Sequence, residues 1–208
     1  AYDGLAVVVH PENDWASCLT ADELREIWRP NSSIERWNQI RESYPDRPIE
    51  LYGPGTASGT YDYFTEAIVG EAEASRSDFT ASEDDNVLVQ GITGTETALG
   101  YFGLAYYENN ADQLKALGID PDERDGGTAC VTPSAETVKD GRYRPLSRPL
   151  FIYVNPAKIT PTVEKFVTFY LQNADELASE VGYVAMPDDA YDLALQRFED
   201  RTSGTVFG

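Results

Sequence analysis

Between Ile49 and Ile68 the chain changes character twice. Ile49-Glu50-Leu51-Tyr52 alternates apolar and polar residues, as a short strand does. Gly53-Pro54-Gly55-Thr56-Ala57 is a tight Gly-rich turn. Ser58-Gly59-Thr60 then opens a helix that places Tyr61, Phe64, Thr65 and Ile68 on one side. A strand passing through a glycine turn into a helix N-terminus is a building block of layered α/β proteins. It also aims that helix end at whatever lies above the sheet.

The rest of the chain repeats the alternation. Tyr2 to His10 is apolar, β-branched and stopped by Pro11, which reads as a buried strand. Thr20-Ala21-Asp22-Glu23 is a capping box ahead of a helix carrying Leu24, Ile27 and Trp28 and ending near Pro30. Ile34 to Ile40 reads as a short irregular helix, and Pro45 and Pro48 punctuate a loop. Ser82-Glu83-Asp84-Asp85 is a second capping box, before Val87, Leu88 and Ile92. Ala98 to Tyr107 reads as an apolar strand, and Ala111 to Leu117 as a short helix closed by Gly118. A Gly/Asp-rich loop runs from Asp120 to Thr128, and one or two helical turns from Ser134 to Asp140. Pro149 to Val154 reads as an apolar strand. Thr160-Pro161 caps a long helix with Val163, Phe166, Val167, Tyr170 and Leu171 on one face. Pro187 starts a last helix with Ala190, Leu193, Ala194 and Phe198. The fold class expected is α/β with a mostly open sheet.

The glycine turn is also the stretch best suited to chemistry. The first N–H groups of a helix have no intrahelical partner, and the dipole makes that end positive. Gly55 and Gly59 allow close approach to the backbone, and Ser58, Thr60 and Thr56 add hydroxyls. Together these suit a small oxyanion. The GK[ST] of a nucleotide loop is absent, and so is GxGxxG. The competing reading is an ordinary turn with Ser58 as the helix cap. Arg76 has two readings as well: a bidentate clamp on an oxyanion, or a surface partner of Asp78 or Glu73. Glu83-Asp84-Asp85 lacks the spacing of a calcium loop, and the capping box accounts for it without a metal. The chain has one His, His10, and no G-x-S-x-G, which leaves little for a serine hydrolase.

Charge narrows the partners. Lys and Arg number 16 against 36 Asp and Glu, for a net charge of −20. Nucleic acid and anionic membrane surfaces need a basic face, so both are excluded as partners. No apolar run approaches the roughly 20 residues of a membrane-spanning helix, and none inserts directly. Lys occurs only at Lys115, Lys139, Lys158 and Lys165, a scarcity that together with excess acid fits a salt-adapted surface. The bland reading is an acidic protein kept soluble by its charge. Cys18 and Cys130 form no CxxC pair, so they are two buried thiols or one disulfide. No signal peptide is visible, and the start at Ala1, directly inside a strand, reads as a processing or truncation point.

Several segments together resemble the phosphate-binding proteins of phosphate ABC transporters. They are Tyr52 to Glu66 with its Thr56-Ala57-Ser58-Gly59-Thr60 core, Thr80 to Val89, Leu99-Gly100-Tyr101-Phe102-Gly103, Pro145 to Tyr153, and the opening Tyr2 to Val9. The resemblance covers essentially the whole chain. It implies a periplasmic-binding-protein fold of type II, with two α/β lobes joined by two crossing strands and closing on phosphate in the cleft. Residues 1–10 would be the first crossing strand and part of the first lobe, 11–148 the second lobe, and 149–208 the return strand and C-terminal helices of the first lobe. It implies Ser58, Gly59 and Thr60 as phosphate donors supported by Thr56 or Arg76, no cofactor, no metal and no catalysis. The partners implied are inorganic phosphate and the membrane permease of the transporter. The location implied is extracytoplasmic, periplasmic or at the cell surface, with a lipid anchor on a missing N-terminus as one option. In that compartment a Cys18–Cys130 bridge is the expected state.

Two departures from the family pattern stand out. Relatives begin with a further segment carrying a Gly-Ser-Ser/Thr loop and an Asp acceptor, and nothing here matches it, so the first lobe is expected to be incomplete. Many relatives also place an Arg four residues before the Ser of Ser-Gly-Thr, where this chain has Pro54; Arg76 is the candidate replacement. Three alternatives stay open: a binder of another tetrahedral oxyanion such as sulfate, a hydrolase of phosphate esters at the same loop, and a scaffold that binds nothing.

Overall fold

The computed structural model describes residues 1–121 and 130–204. It divides into two compact units, a larger one of Gly4–Ser147 and a smaller one of Ala1–Asp3 with Arg148–Gly208. The Gly/Asp-rich loop expected at 120–128 falls almost entirely outside the described residues.

The larger unit is built on one sheet. Its strands are β1 (Tyr2–Val9), β3 (Glu50–Pro54), β4 (Thr80–Ser82), β5 (Ala98–Gly103) and β6 (Lys115–Ala116), in the order β4-β3-β5-β1-β6, and β8 (Ser147–Pro149) pairs with β1 off this path. β3 runs parallel to β4 and β5, while β1 is antiparallel to β5 and β6. Leu5 to Val9 are fully buried, as an unbroken apolar run covered on both faces should be. A second, two-stranded parallel sheet joins β2 (Cys18–Thr20) to β7 (Gly118–Asp120). Beside it Cys18 and Cys130 are paired, with Cα atoms 6.1 Å apart.

The helices start where their caps dictate. Thr20 Oγ1 accepts from Glu23 N–H at 3.0 Å and Glu23 Oε2 accepts from Thr20 N–H at 2.8 Å, fixing the start of α1 (Ala21–Trp28). α2 (Gly59–Phe64) continues into a wider π-helical segment, Thr65–Val69, that ends on Gly70 at φ 92°. Its face of Tyr61, Phe64, Thr65 and Ile68 is buried, the side expected from the spacing. Phe64 stacks on Tyr101 of β5 with ring centres 3.7 Å apart, and Trp28 meets both rings edge-on. Burying each such side chain contributes about 1.5–3 kcal/mol. This aromatic cluster fixes α1 and α2 to the sheet and thereby sets the position of the glycine turn.

Three expectations for the larger unit need correction. α3 (Asp85–Thr93) is capped by Asp84, whose carboxylate accepts from Asn86 N–H, and Ser82 instead bonds to the backbone of Asp84. The helix start therefore lies two residues later than expected, and no capping box forms at Ser82. The strand at Ala98 ends at Gly103, and Leu104–Asn109 forms α4. Residues 111–117 are not a helix: Lys115 and Ala116 are drawn into the sheet by pairing with Val9 and Val8. Here tertiary pairing overrides local propensity. α5 (Ala135–Lys139) follows Ser134 as its cap.

In the smaller unit, strand structure stops at the end of β8 (Ser147–Pro149). Pro149 to Val154 was expected to form a strand, but beyond the Leu150 N–H bond to the Ala1 carbonyl no ladder forms, and Tyr153 is 92% exposed. Three helices follow: α6 (Pro161–Gln172), α7 (Ala174–Glu180) and α8 (Asp188–Glu199). Of the apolar face expected on α6 only Val167 is buried, while Phe166 is 65% exposed. With Leu150, Ile152, Tyr170 and Phe198, that Val167 lines an apolar groove of about 630 Å³.

Candidate functional site

The glycine turn sits at the end of β3. Gly53 is buried against the Tyr101 ring, which leaves no room for a side chain there. Gly55 is buried and donates its N–H to Ser82 O at 3.1 Å, tying the turn to the end of β4. Ser58 N–H closes the turn on Gly55 O at 3.2 Å. Ser58 has extended backbone angles, φ −104° and ψ 129°, and its Oγ accepts from Thr60 N–H at 3.2 Å. This is an N-cap, so the structural role foreseen for Ser58 is realised. With Oγ accepting from the backbone, the hydroxyl hydrogen can be donated to another acceptor.

Thr56, Ser58, Gly59 and Thr60 thus occur together on one turn, Thr56 and Gly59 exposed and Ser58 and Thr60 half-buried. A turn with hydroxyls, an exposed glycine and a positive helix end can hold a small anion.

Arg76 does not join them. Its guanidinium is buried, with Nε to Asp78 Oδ1 at 2.6 Å, Nη2 to Asp78 Oδ2 at 2.8 Å, and Nη1 to the carbonyls of Ile27 and Ile34 at 3.1 and 2.8 Å. These bonds consume the donors a bidentate clamp would need, so Arg76 is corrected from an anion ligand to a brace between α1 and the following loop. The Asp78 pairing was foreseen, but as a surface contact; the arginine end of it is buried. The same hydrogen bonds hold the Asp78 carboxyl below its ordinary value.

One residue was not anticipated at the turn. Glu83 Oε1 accepts from Ala57 N–H at 3.2 Å, and a Cβ on Gly55 would overlap this carboxylate. The sequence carries no local signal for it; the parallel pairing of β3 and β4, each leading into a helix, brings it there. Pro54 lies opposite Ser82, so the residues just beyond both strands meet. Nearby Asp85 has its carboxyl raised above the ordinary value, first by burial and then by the negative charges of Asp84 and Glu83.

His10 Nδ1 accepts from Glu12 N–H in a local turn, and among the described residues no hydrogen bond joins it to Ser58. No cluster of three metal-binding side chains occurs among the described residues. No helix among them is long and apolar enough to cross a membrane.

Residues 1–174 match the family model described as a PBP superfamily domain. The chain belongs to the PBP superfamily. Protein SphX of Synechocystis sp. is 51% identical over the full chain, which spans 62% of SphX. The phosphate-binding protein PstS of Staphylococcus haemolyticus is 35% identical over 92% of the chain, spanning 58% of PstS. A crystal structure of a possible phosphate binding protein from Planctomyces limnophilus is 46% identical over 98% of this PBP-superfamily chain and 71% of its own, with a TM-score of 0.87. The chain therefore spans about 60% of the length of the curated relatives it matches. The α/β binding-protein fold and the resemblance to PstS-type proteins, both implied by the motifs, agree with the matched superfamily and with these relatives.

Proposed function

We propose that the protein carrying this chain captures inorganic phosphate outside the cytoplasm and delivers it to the permease of an ABC importer, without catalysis. The observation that carries the reading is the turn at Thr56–Thr60, with the Ser58 hydroxyl as the cap of a helix, in a chain related to a phosphate-binding protein across most of its length. Ser58 and Thr60 hydroxyls would donate to phosphate oxygens, the exposed Gly59 would let an oxygen approach the backbone, and Thr56 would supply a further hydroxyl. Residues 11–148 would form one lobe, and 1–10 with 149–208 part of the other. The Cys18–Cys130 bridge belongs to the same proposal, because an oxidising extracytoplasmic setting preserves it.

A net charge of −20 does not oppose this reading. Screening limits the reach of exposed charges to about 8–10 Å near physiological salt, so donors in contact with the anion outweigh a distant acidic surface. Calorimetric titration of the full-length protein with phosphate and with sulfate tests it. Tighter binding of phosphate is expected, and tighter binding of sulfate would contradict it.

A further inference from the structure

We infer that Glu83 is an internal competitor at the oxyanion turn: a carboxylate seated on the loop that an incoming anion must displace. The inference rests on reading Thr56–Thr60 as the oxyanion site. Two contacts carry it. Glu83 Oε1 holds the Ala57 N–H, one residue from Ser58, and the carboxylate covers Gly55, where only a hydrogen leaves room for it.

The side chain is not needed for the fold around it. Asp84 caps α3, Ser82 binds the backbone of Asp84, and Glu83 itself is exposed. Its carboxylate can therefore leave the turn without unmaking a helix start. While seated it satisfies the Ala57 N–H and sets a negative charge beside Ser58, with Asp84 and Asp85 following in sequence. Two negative charges a few ångströms apart repel appreciably even at a partly solvated surface. Binding must overcome that repulsion or move the carboxylate aside, so Glu83 lowers the affinity for every oxyanion the turn accepts. Gly55 is then explained as the residue that admits the carboxylate, and not only as a flexible turn residue.

The test is calorimetric titration of phosphate into the full-length protein and its Glu83→Gln and Glu83→Ala variants, with melting curves to verify folding. Glu83→Gln keeps the shape and removes the charge; Glu83→Ala also frees the Ala57 N–H. Both are expected to bind phosphate about tenfold more tightly, the loss of roughly one screened charge repulsion. Unchanged or weaker binding by folded variants, beside a wild type that binds, would overturn the role of Glu83 alone. A folded wild type that does not bind phosphate would overturn the reading of the turn itself.

Discussion

Arg76 and Asp78 face each other side-on, two guanidinium nitrogens on two carboxylate oxygens at 2.6 and 2.8 Å, with the arginine buried and the carboxylate at the surface. The third nitrogen holds the carbonyls of Ile27 and Ile34. Arg76→Ala strands both carbonyls and leaves a gap, and we expect a loss of about 3 kcal/mol of stability in urea denaturation. Arg76→Lys, a single ammonium in place of a planar fork, should restore only part of it. If Arg76 instead served the anion, stability would hardly change and phosphate affinity would fall.

The same pair predicts a pH dependence. Hydrogen bonding to Arg76 lowers the Asp78 carboxyl below its usual 3.8 in the folded state. A lowered folded-state value means that the unfolded chain binds the proton first as pH falls. The contribution of the pair is therefore complete above the ordinary carboxylate value and disappears as pH drops through the lowered one. Comparing acid unfolding of the wild type with Asp78→Asn checks this: the difference in stability should shrink as pH falls below the ordinary carboxylate value.

Two buried aromatic groups should respond oppositely to losing their polar atom. The Tyr101 hydroxyl is buried without a hydrogen-bond partner among the described residues, and burial pushes its ionisation far above the ordinary value. Tyr101→Phe removes an unsatisfied group and should be neutral or stabilising by about 1 kcal/mol. Trp37 Nε1 donates to Thr97 O at 3.0 Å in a fully buried setting. Trp37→Phe breaks that bond and opens a cavity, and should cost about 2–4 kcal/mol by the same denaturation assay.

The cysteines give a chemical test. Cys18 and Cys130 are paired across a separation of 112 residues. A loop of that length constrains the unfolded chain strongly, so Cys18→Ser should cost about 2–5 kcal/mol. Mass spectrometry after thiol labelling under non-reducing, unfolding conditions should find neither residue modified; labelling of both would exclude the bridge.

Much of the site was legible because it is local. The strand, glycine turn and helix of residues 49–68 are read from spacing and capping alone, and Ser58 caps α2 where the pattern puts it. What escaped was set by contacts distant in sequence. Lys115 and Ala116 look like part of a helix until β1 claims them as a strand. Arg76 looks like a surface cation until the carbonyls of α1 and Ile34 surround it. Glu83 looks like a first-turn acid until the parallel register of β3 and β4 lays it over Gly55. The apolar face expected on α6 is buried only at Val167, while Phe166 is 65% exposed.

The central claim is that the Ser58 turn holds phosphate, and the most direct measurement is calorimetric phosphate titration of full-length wild type against Ser58→Ala. The substitution removes the hydroxyl and with it the cap on α2, the latter costing about 1 kcal/mol of stability. The account predicts phosphate binding by the wild type and at least about tenfold weaker binding by the folded variant, the effect of losing one charge-assisted hydrogen bond. Equal affinity in the two proteins would contradict it.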